Sequence, residues 1–290
     1  MYRFFGKYTA ILFLLPSLLL LTIFFFLPFI QTLGLSFFDF SNNLYEPNFI
    51  GINNYLDVFK DPTFSKVLIN TFAFLLIVVP FLTIFPLFLA ILVNQKLRGI
   101  KIYKILIYLP VVVSIVVCAI AFKWLYAEHG VLNYLLSLFN IQAISWLTDT
   151  RFSLISVALV TIWKGIGYYM MIYLASLMSV PKELYEACDI DGANSWQKHL
   201  TVTIPHLMPT IALVSTISAI SAMKVFAEIY VMTKGGPLNS SKTIVYYIYE
   251  RAFENLDLGM ASAMAVVLLI IVLILSSINI FCFEREKYRL

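Results

Sequence analysis

The chain has 290 residues, of which 61% are hydrophobic and 12% charged, and its formal net charge is +4. Soluble domains carry about 25% charged residues, so this composition, with a mean hydropathy of +0.90, excludes an ordinary soluble enzyme. The basic residues are scattered and form no stripe with stacking aromatic residues, which argues against a nucleic-acid partner.

Stretches without Asp, Glu, Lys or Arg predict membrane-spanning helices, because about 20 mostly apolar residues cross a bilayer. We predict one transmembrane domain over residues 1–290, with six helices at about 9–35, 67–94, 105–126, 153–178, 207–232 and 259–283. Basic residues before the first stretch, Arg3 and Lys7, also suit a secretory signal. That stretch is longer than the roughly 7–15 residues of a signal core and lacks a small-residue cleavage site, so we expect a retained helix.

The loops predict the orientation of these helices, because short basic loops tend to stay in the cytoplasm. The basic residues of the two termini and of the loop after the second helix are Arg3, Lys7, Lys96, Arg98, Lys101, Lys104, Arg285, Lys287 and Arg289. Both termini are therefore predicted to be cytoplasmic, and alternation places the fourth loop, 179–206, on the same side. Residues 37–66 and 234–257 form the long external loops, and 241–253 suits a short amphipathic helix at the surface.

The fourth loop is the most polar predicted cytoplasmic stretch and has the pattern of two short helices. Ser179 can cap a helix with Pro181 and Glu183 in its first turn, and Gly192 can end it. Asn194 or Ser195 can then cap a second helix that stops near Pro205. Three residues of the first helix are predicted to face a partner: Leu184, Tyr185 and Ala187.

This loop contains three short motifs: Glu186-Ala187-Cys188, Asp191-Gly192-Ala193 and Ile204-Pro205. They resemble the signature of a known family, the permease subunits of binding-protein-dependent ABC importers of the carbohydrate type. The family signature has a second Ala where this chain has Cys188, a change between small residues. Further matches run along the chain at Leu14-Leu15-Pro16, 51–55, Asn70-Thr71, Trp163-Lys164-Gly165, 233–237 and 259–263.

The resemblance implies an all-α type I ABC importer permease fold in the cytoplasmic membrane of a prokaryote. It implies a non-catalytic subunit, surrounded by membrane lipid, that works with a second permease in a heterodimer, a cytoplasmic ATPase dimer and an extracytoplasmic substrate-binding protein. By this resemblance the ATPase-coupling residues are Glu183, Glu186, Ala187, Asp191, Gly192 and Ala193. The chain has no Walker A pattern, so ATP and Mg are expected in the partner subunits, with no cofactor bound here.

The substrate path is sought among polar groups inside apolar segments, because ionisable residues there are costly and usually face a cavity. The candidates are Lys164, Gly165, Tyr168, Tyr169, Lys224 and Glu228. Lys164, Gly165 and Tyr168 match substrate-contacting positions of maltose permeases by resemblance. Three alternatives remain open: an intrahelical Lys224–Glu228 pair, a structural role for Lys164, and packing of the aromatic residues.

The resemblance implies transport of a sugar or related polyol, and di- or oligosaccharides, glycosylated polyols and glycerol phosphate all fit. The alternative is a self-contained secondary transporter or channel. It leaves the 179–206 loop unexplained, and the chain shows no internal repeat of the kind common in such transporters. The three cysteines have no paired spacing and the three histidines share no helix face, so we expect no metal site.

Overall fold

The computed structural model describes Tyr2–Phe40, Pro47–Gln95 and Arg98–Lys287. Two basic residues used for the predicted orientation, Lys96 and Arg289, lie outside the described residues, and the orientation stays a prediction. Over the described ranges the chain is helical apart from a two-residue antiparallel pair, β1 (Phe38–Asp39) with β2 (Asn48–Phe49).

The helices follow in chain order: α1 Tyr2–Leu21, α2 Leu27–Leu35, α3 Asn53–Lys60, α4 Pro62–Val93, α5 Ile100–Val112, α6 Ile115–Leu125, α7 Val131–Ser137, α8 Ser153–Leu177, α9 Lys182–Ile190, α10 Ser195–Lys198, α11 Ile204–Met223, α12 Ala227–Met232, α13 Ile244–Tyr249 and α14 Leu258–Lys287. Single π-helical turns, Thr22–Phe26, His199–Thr203 and Glu250–Glu254, adjoin α2, α11 and α13.

Long apolar helices form the candidate membrane spans of the described chain. Five helical stretches are long and apolar enough to cross: Ile11–Leu35, Pro62–Val93, Ser153–Leu177, Ser195–Met232 and Leu258–Asn279. The pair α5–α6 adds a sixth if it counts as one span, and it is bent by 97°. The prediction of an all-α membrane protein is therefore confirmed.

Two predicted spans are broken, which corrects the continuous helices expected at 105–126 and 207–232. The first breaks at Val113, whose backbone is extended, three residues after Pro110. The second breaks between Met223 and Ala227. There the hydroxyl of Thr243 donates to the Val225 carbonyl at 3.1 Å and satisfies an acceptor that the break leaves without a helical partner.

The first span also departs from a regular α-helix. It begins at Tyr2 rather than near residue 9 and contains the π turn Thr22–Phe26. The N–H of Leu27 bonds to the Thr22 carbonyl, five residues back. Because the next residue, Pro28, has no N–H to donate, the usual hydrogen-bond pattern is already interrupted at this point.

The described chain divides into two compact units. The first contains residues 1–62 and 248–270, and the second contains 63–247 and 271–290. Within the first, the side-chain amide of Asn54 donates to the carbonyls of Ser36 and Phe38, both at 2.9 Å. Arg251 forms an ion pair with Asp61 at 3.1 Å.

The second unit holds a large apolar core, in which α8 is the central helix. Helices α5, α11 and α12 pack against α8, and α12 also packs against α6. Large side chains buried in this core include Phe74, Met170, Tyr173 and Leu207. Buried residues occur around much of the circumference of α8, which therefore packs on several neighbouring helices at once.

A helix does form within the predicted range 241–253, but its first part is anchored in the second unit, which corrects the prediction that the whole segment lies at the surface. Asn70 donates to the carbonyls of Asn239 and Lys242 at 2.7 and 3.0 Å. The N–H of Ile244 donates to the hydroxyl of Thr71 at 3.0 Å. The side chains of Ile244, Tyr246 and Tyr247 are consequently buried.

Candidate functional site

The 179–206 loop begins with α9, but the predicted Ser179 cap is wrong. The hydroxyl of Ser179 donates to the Ser176 carbonyl at 2.7 Å, so it belongs to the end of α8. The residue before α9 is Pro181, which makes no side-chain cap bond. Ser179 lies two residues before this position, and its hydroxyl bonds to the preceding helix instead.

The end of α9 at Gly192 was predicted correctly. Gly192 has a φ of +73°, a left-handed conformation that a side chain would strain. Its N–H bonds to the Asp189 carbonyl, and the N–H of Ala193 bonds to the Cys188 carbonyl at 2.9 Å. This pair of bonds is a Schellman motif, which satisfies the carbonyls left over at the helix end.

Asn194, rather than Ser195, caps α10 through a capping box. Its side chain accepts from the Gln197 N–H at 2.9 Å, and its own N–H donates to the Gln197 side chain at 2.7 Å. The second helix does not stop near Pro205, contrary to prediction. It continues through the π turn into α11, and Pro205, which has no N–H to donate, follows directly after this turn, where the usual hydrogen-bond pattern is already interrupted.

Side-chain bonds tie α9 to this second helical stretch. The hydroxyl of Thr203 lies 2.9 Å from the Tyr185 hydroxyl and 3.0 Å from Nδ1 of His199. Lys198 forms an ion pair with Asp189. The two stretches therefore form one hairpin that is joined without a break to α11. It is here called the coupling hairpin (182–203), after the contact with an ATPase that the resemblance implies.

The coupling hairpin exposes acidic and apolar side chains together. Glu183, Glu186, Ala187, Asp191 and Gly192 are exposed, and Ala193 is partly buried. Leu184 is exposed as predicted, whereas Tyr185 turns inward to Thr203. Ile190 is 87% exposed and Trp196 65% exposed. These two residues were not among the predicted contacts, although large apolar residues in a polar loop are a signal for a protein contact.

Lys164 lies inside the second unit and contacts the end of α5. Its Nζ donates to the carbonyls of Val111 and Pro110 at 3.1 and 3.4 Å. These carbonyls lie in the last turn of α5, where acceptors lack helical partners and a positive charge is favourable. Lys164 therefore stabilises the α5 end next to the 97° bend.

Glu228 is buried and is not paired with Lys224. The hydroxyl of Thr161 donates to Oε1 of Glu228 at 3.1 Å. Lys224 is exposed beyond the end of α11, and within the described chain no ion pair joins it to Glu228. The alternative of an intrahelical pair is therefore wrong, because the helix breaks between the two residues.

The glycines and tyrosines of α8 differ in what surrounds them. A Cβ on Gly165 would lie 3.0 Å from a methyl group of Leu82, and one on Gly167 would overlap the Ile107 carbonyl. Tyr168 is 43% exposed, and its ring meets the buried Tyr169 edge to face, with centroids 5.1 Å apart. Both glycines thus permit close helix packing, while Tyr168 remains accessible.

The structure brings part of the predicted substrate set together. Lys164 and Thr161 are three residues apart on α8, and Thr161 contacts Glu228 of α12. Thr161 was missed by the sequence analysis, because its partner is 67 residues away in the chain. Within the described ranges no group of three or more His, Cys, Asp or Glu could hold a metal ion.

The chain is similar in sequence to known transport proteins. Residues 59–282 match the family model described as binding-protein-dependent transport system inner membrane component. The chain is similar to the probable ABC transporter permease protein YurN of Bacillus subtilis, at 35% identity over 97% of this chain and 98% of the relative. It is 32% identical to the lactose transport system permease protein LacF of Rhizobium radiobacter, over 95% of this chain and 94% of the relative.

A solved structure supports the same fold. One chain of the bacterial alginate ABC transporter, in complex with an alginate pentasaccharide-bound periplasmic protein, superimposes with a TM-score of 0.86. The match covers 99% of this chain and 97% of that chain, at 24% sequence identity. The prediction of an ABC importer permease fold is confirmed.

Proposed function

The chain belongs to the family of binding-protein-dependent transport system inner membrane components, and from this we propose that it imports a sugar or related polyol by alternating access. It is a non-catalytic, multi-pass inner membrane subunit of an ABC importer. The observation that carries the carbohydrate proposal is the near-complete alignment with a lactose transport permease. The name of the matched alginate transporter supports the same substrate class.

The coupling hairpin is proposed to dock on a cytoplasmic ATPase. A membrane subunit that holds no nucleotide can use ATP only through mechanical contact with the subunit that does. The exposed Glu183, Glu186, Ala187, Asp191, Gly192 and the partly buried Ala193 supply this contact, together with Ile190 and Trp196. ATP and Mg are held by the ATPase dimer in this proposal.

Two further partners complete the proposed assembly: a second permease subunit, forming a heterodimer with this chain, and an extracytoplasmic substrate-binding protein. The name of the matched alginate transporter includes a periplasmic protein that carries the oligosaccharide. The predicted cytoplasmic location of both termini places the coupling hairpin opposite that protein. The ATPase and the substrate-binding protein then act on opposite ends of the same helices.

The proposed substrate residues are Lys164, Gly165, Tyr168, Tyr169, Lys224 and Glu228. Tyr168 and Lys224 are the exposed members and are proposed to contact the sugar directly. An aromatic face can stack on a sugar ring, and an ammonium group can donate to its hydroxyls. Lys164, Glu228, Gly165 and Tyr169 already have protein neighbours and are proposed to shape the site.

The test of coupling uses the transporter reconstituted in vesicles with its ATPase, second permease and binding protein. Glu186→Ala should abolish substrate-stimulated ATP hydrolysis and uptake, because the charged contact with the ATPase is lost. Glu128→Ala changes an exposed carboxylate far along the chain and should alter neither rate. Full uptake by the Glu186 variant, or uptake by vesicles without the ATPase, would refute the proposal.

The test of the substrate site measures the dependence of uptake on sugar concentration. Tyr168→Ala should raise KM for the transported sugar, whereas Tyr168→Phe, which keeps the ring, should change it little. Tyr103→Ala alters an exposed tyrosine on α5 and serves as the control. Unchanged KM in Tyr168→Ala, with normal assembly, would remove Tyr168 from the site.

A further inference from the structure

The helix α7 carries an exposed apolar face that the proposed transport function does not use. Five exposed large apolar side chains belong to α7 and the turn that follows it: Val131, Tyr134, Leu135, Leu138 and Phe139. Leu138 and Phe139 lie in the turn, where the N–H of Leu138 still bonds to the Tyr134 carbonyl at 3.4 Å and continues the helical spacing. Leu138 is 61% exposed and Phe139 76% exposed. No charged residue occurs between Val131 and Phe139.

The opposite face of α7 is held firmly by one buried side chain. The amide of Asn133 donates to the carbonyls of Ile144, Glu128 and Ala127 at 3.0, 3.1 and 3.3 Å. Its oxygen accepts from the Ile144 N–H and from Nε1 of Trp146, both at 3.0 Å. The apolar face therefore has a fixed direction, since the helix cannot roll without breaking these bonds.

The same network sets the depth of α7. The Trp146 ring packs on Tyr126 with centroids 5.5 Å apart, and the Trp146 carbonyl accepts from the Ser156 hydroxyl at 2.9 Å. The Tyr126 hydroxyl in turn donates to the Ser156 carbonyl at 3.1 Å. Ser156 lies in the first turn of α8. With 25 residues, α8 is about 37 Å long, which exceeds the roughly 30 Å hydrocarbon core. As a membrane span it is expected to have one end turn near each membrane surface, which puts its first turn near one of them.

We propose that α7 is an interfacial helix that inserts its apolar face into the lipid leaflet opposite the coupling hairpin. Helix α8 fixes the side, because its first turn is level with α7 and its last turn leads to the hairpin. The preceding helix, α6, contacts α7 and also carries exposed apolar residues, Val117, Ile120 and Trp124. In this proposal lipid surrounds the exposed residues of both helices.

The chemistry of the face favours lipid over a soluble protein. Aromatic residues next to aliphatic ones, here Tyr134 and Phe139 beside Leu135 and Leu138, are typical of membrane–water interfaces. A partner that docks and leaves would return these side chains to water in every cycle, at a hydrophobic cost of about 25 cal/mol for each Å² exposed. A permanent lipid contact avoids this cost.

The test measures the depth of a spin label in the assembled transporter. The label is placed at Leu138→Cys in a chain whose Cys118, Cys188 and Cys282 are replaced by Ala, reconstituted in phosphatidylethanolamine–phosphatidylglycerol vesicles. Power saturation with oxygen and with a water-soluble nickel chelate should place the Leu138 label about 5–10 Å below the phosphates. The matched label at Thr150→Cys, an exposed polar site before α8, should respond to nickel instead.

Two results would overturn the proposal. Equal nickel accessibility at the two positions would show that the face lies in water. Protection of the Leu138 label from both reagents would show that a protein covers it. Phe139→Cys repeats the measurement if the Leu138 variant does not assemble.

Discussion

Two glycines on α8 should respond differently to the same substitution, because one faces backbone and the other a flexible side chain. A Cβ on Gly167 would overlap the Ile107 carbonyl and lie 2.9 Å from Cα of Tyr108. Backbone atoms of α5 cannot rotate away. Gly167→Ala therefore forces α5 and α8 apart by on the order of 1 Å, to restore ordinary contact distances.

The expected loss of stability in Gly167→Ala follows from this overlap. Overpacking of a well-packed core costs about 1–3 kcal/mol, and the better helix propensity of Ala returns up to ~1 kcal/mol. A net loss of about 1–2 kcal/mol should lower Tm by roughly 2–8 °C for a chain of this size. In Gly165→Ala, the new Cβ meets two Leu82 methyl groups at 3.0 and 3.2 Å. These can shift by a side-chain rotation, so we expect a change in Tm below about 2 °C.

The assay is loss of the monodisperse peak on fluorescence-detected size-exclusion chromatography after heating in detergent, with uptake measured in parallel. The pair controls for the Gly-to-Ala change itself, since both residues lie on the same helix. If Gly165→Ala destabilises as much as Gly167→Ala, the reasoning from backbone contact fails. A raised KM in Gly165→Ala with unchanged Tm would support the proposed place of Gly165 in the substrate site.

Three further predictions concern local hydrogen bonds. Thr71→Val should lower stability by about 1–3 kcal/mol, measured as Tm, because it leaves the Ile244 N–H buried without an acceptor, whereas Thr71→Ser should not. Asn194→Ala should speed hydrogen exchange in α10 roughly 2- to 30-fold, as expected for a lost cap, and unchanged exchange would contradict this. The backbone N–H of Arg151, and then its side chain, hold the pKa of Asp149 below its ordinary value. The resulting stabilisation is present above the ordinary pKa and disappears as pH falls through the lowered one. Arg151→Gln should raise the pKa of Asp149 only in part, as measured by ¹³C NMR. A return of this pKa to its ordinary value would refute the backbone contribution.

Local chemistry explains which features could be predicted from sequence. Gly192 was assigned correctly, and the cap of the second helix was narrowed to Asn194 or Ser195, because both roles depend on one turn of chain: a left-handed residue and a cap. The apolar stretches predicted the spans for the same reason, since bilayer thickness sets their length. The prediction for Ser179 was wrong because a hydroxyl can bond to the helix before it as well as cap the helix after it.

Long-range compensation explains what could not be predicted. The break after α11 is stable because Thr243, 18 residues away, satisfies the Val225 carbonyl. The bend after α5 is stabilised by Lys164, more than 50 residues away. No local sequence pattern around Val113 or Val225 indicates these partners. The substrate candidates could therefore be selected by residue type, whereas the residues that contact them could not be predicted.

The uninterrupted connection between the coupling hairpin and α11 makes the two a single lever arm. The arm is rigid at its base, where Thr203 and Lys198 fasten α9, and its far end is the break at Lys224. Twenty residues of α11 give an arm of about 30 Å. A rotation of about 5° at the hairpin would displace Lys224 by about 2.6 Å, nearly the length of a hydrogen bond. A small tilt at the hairpin is thus enough to make or break a polar contact at the other end of α11.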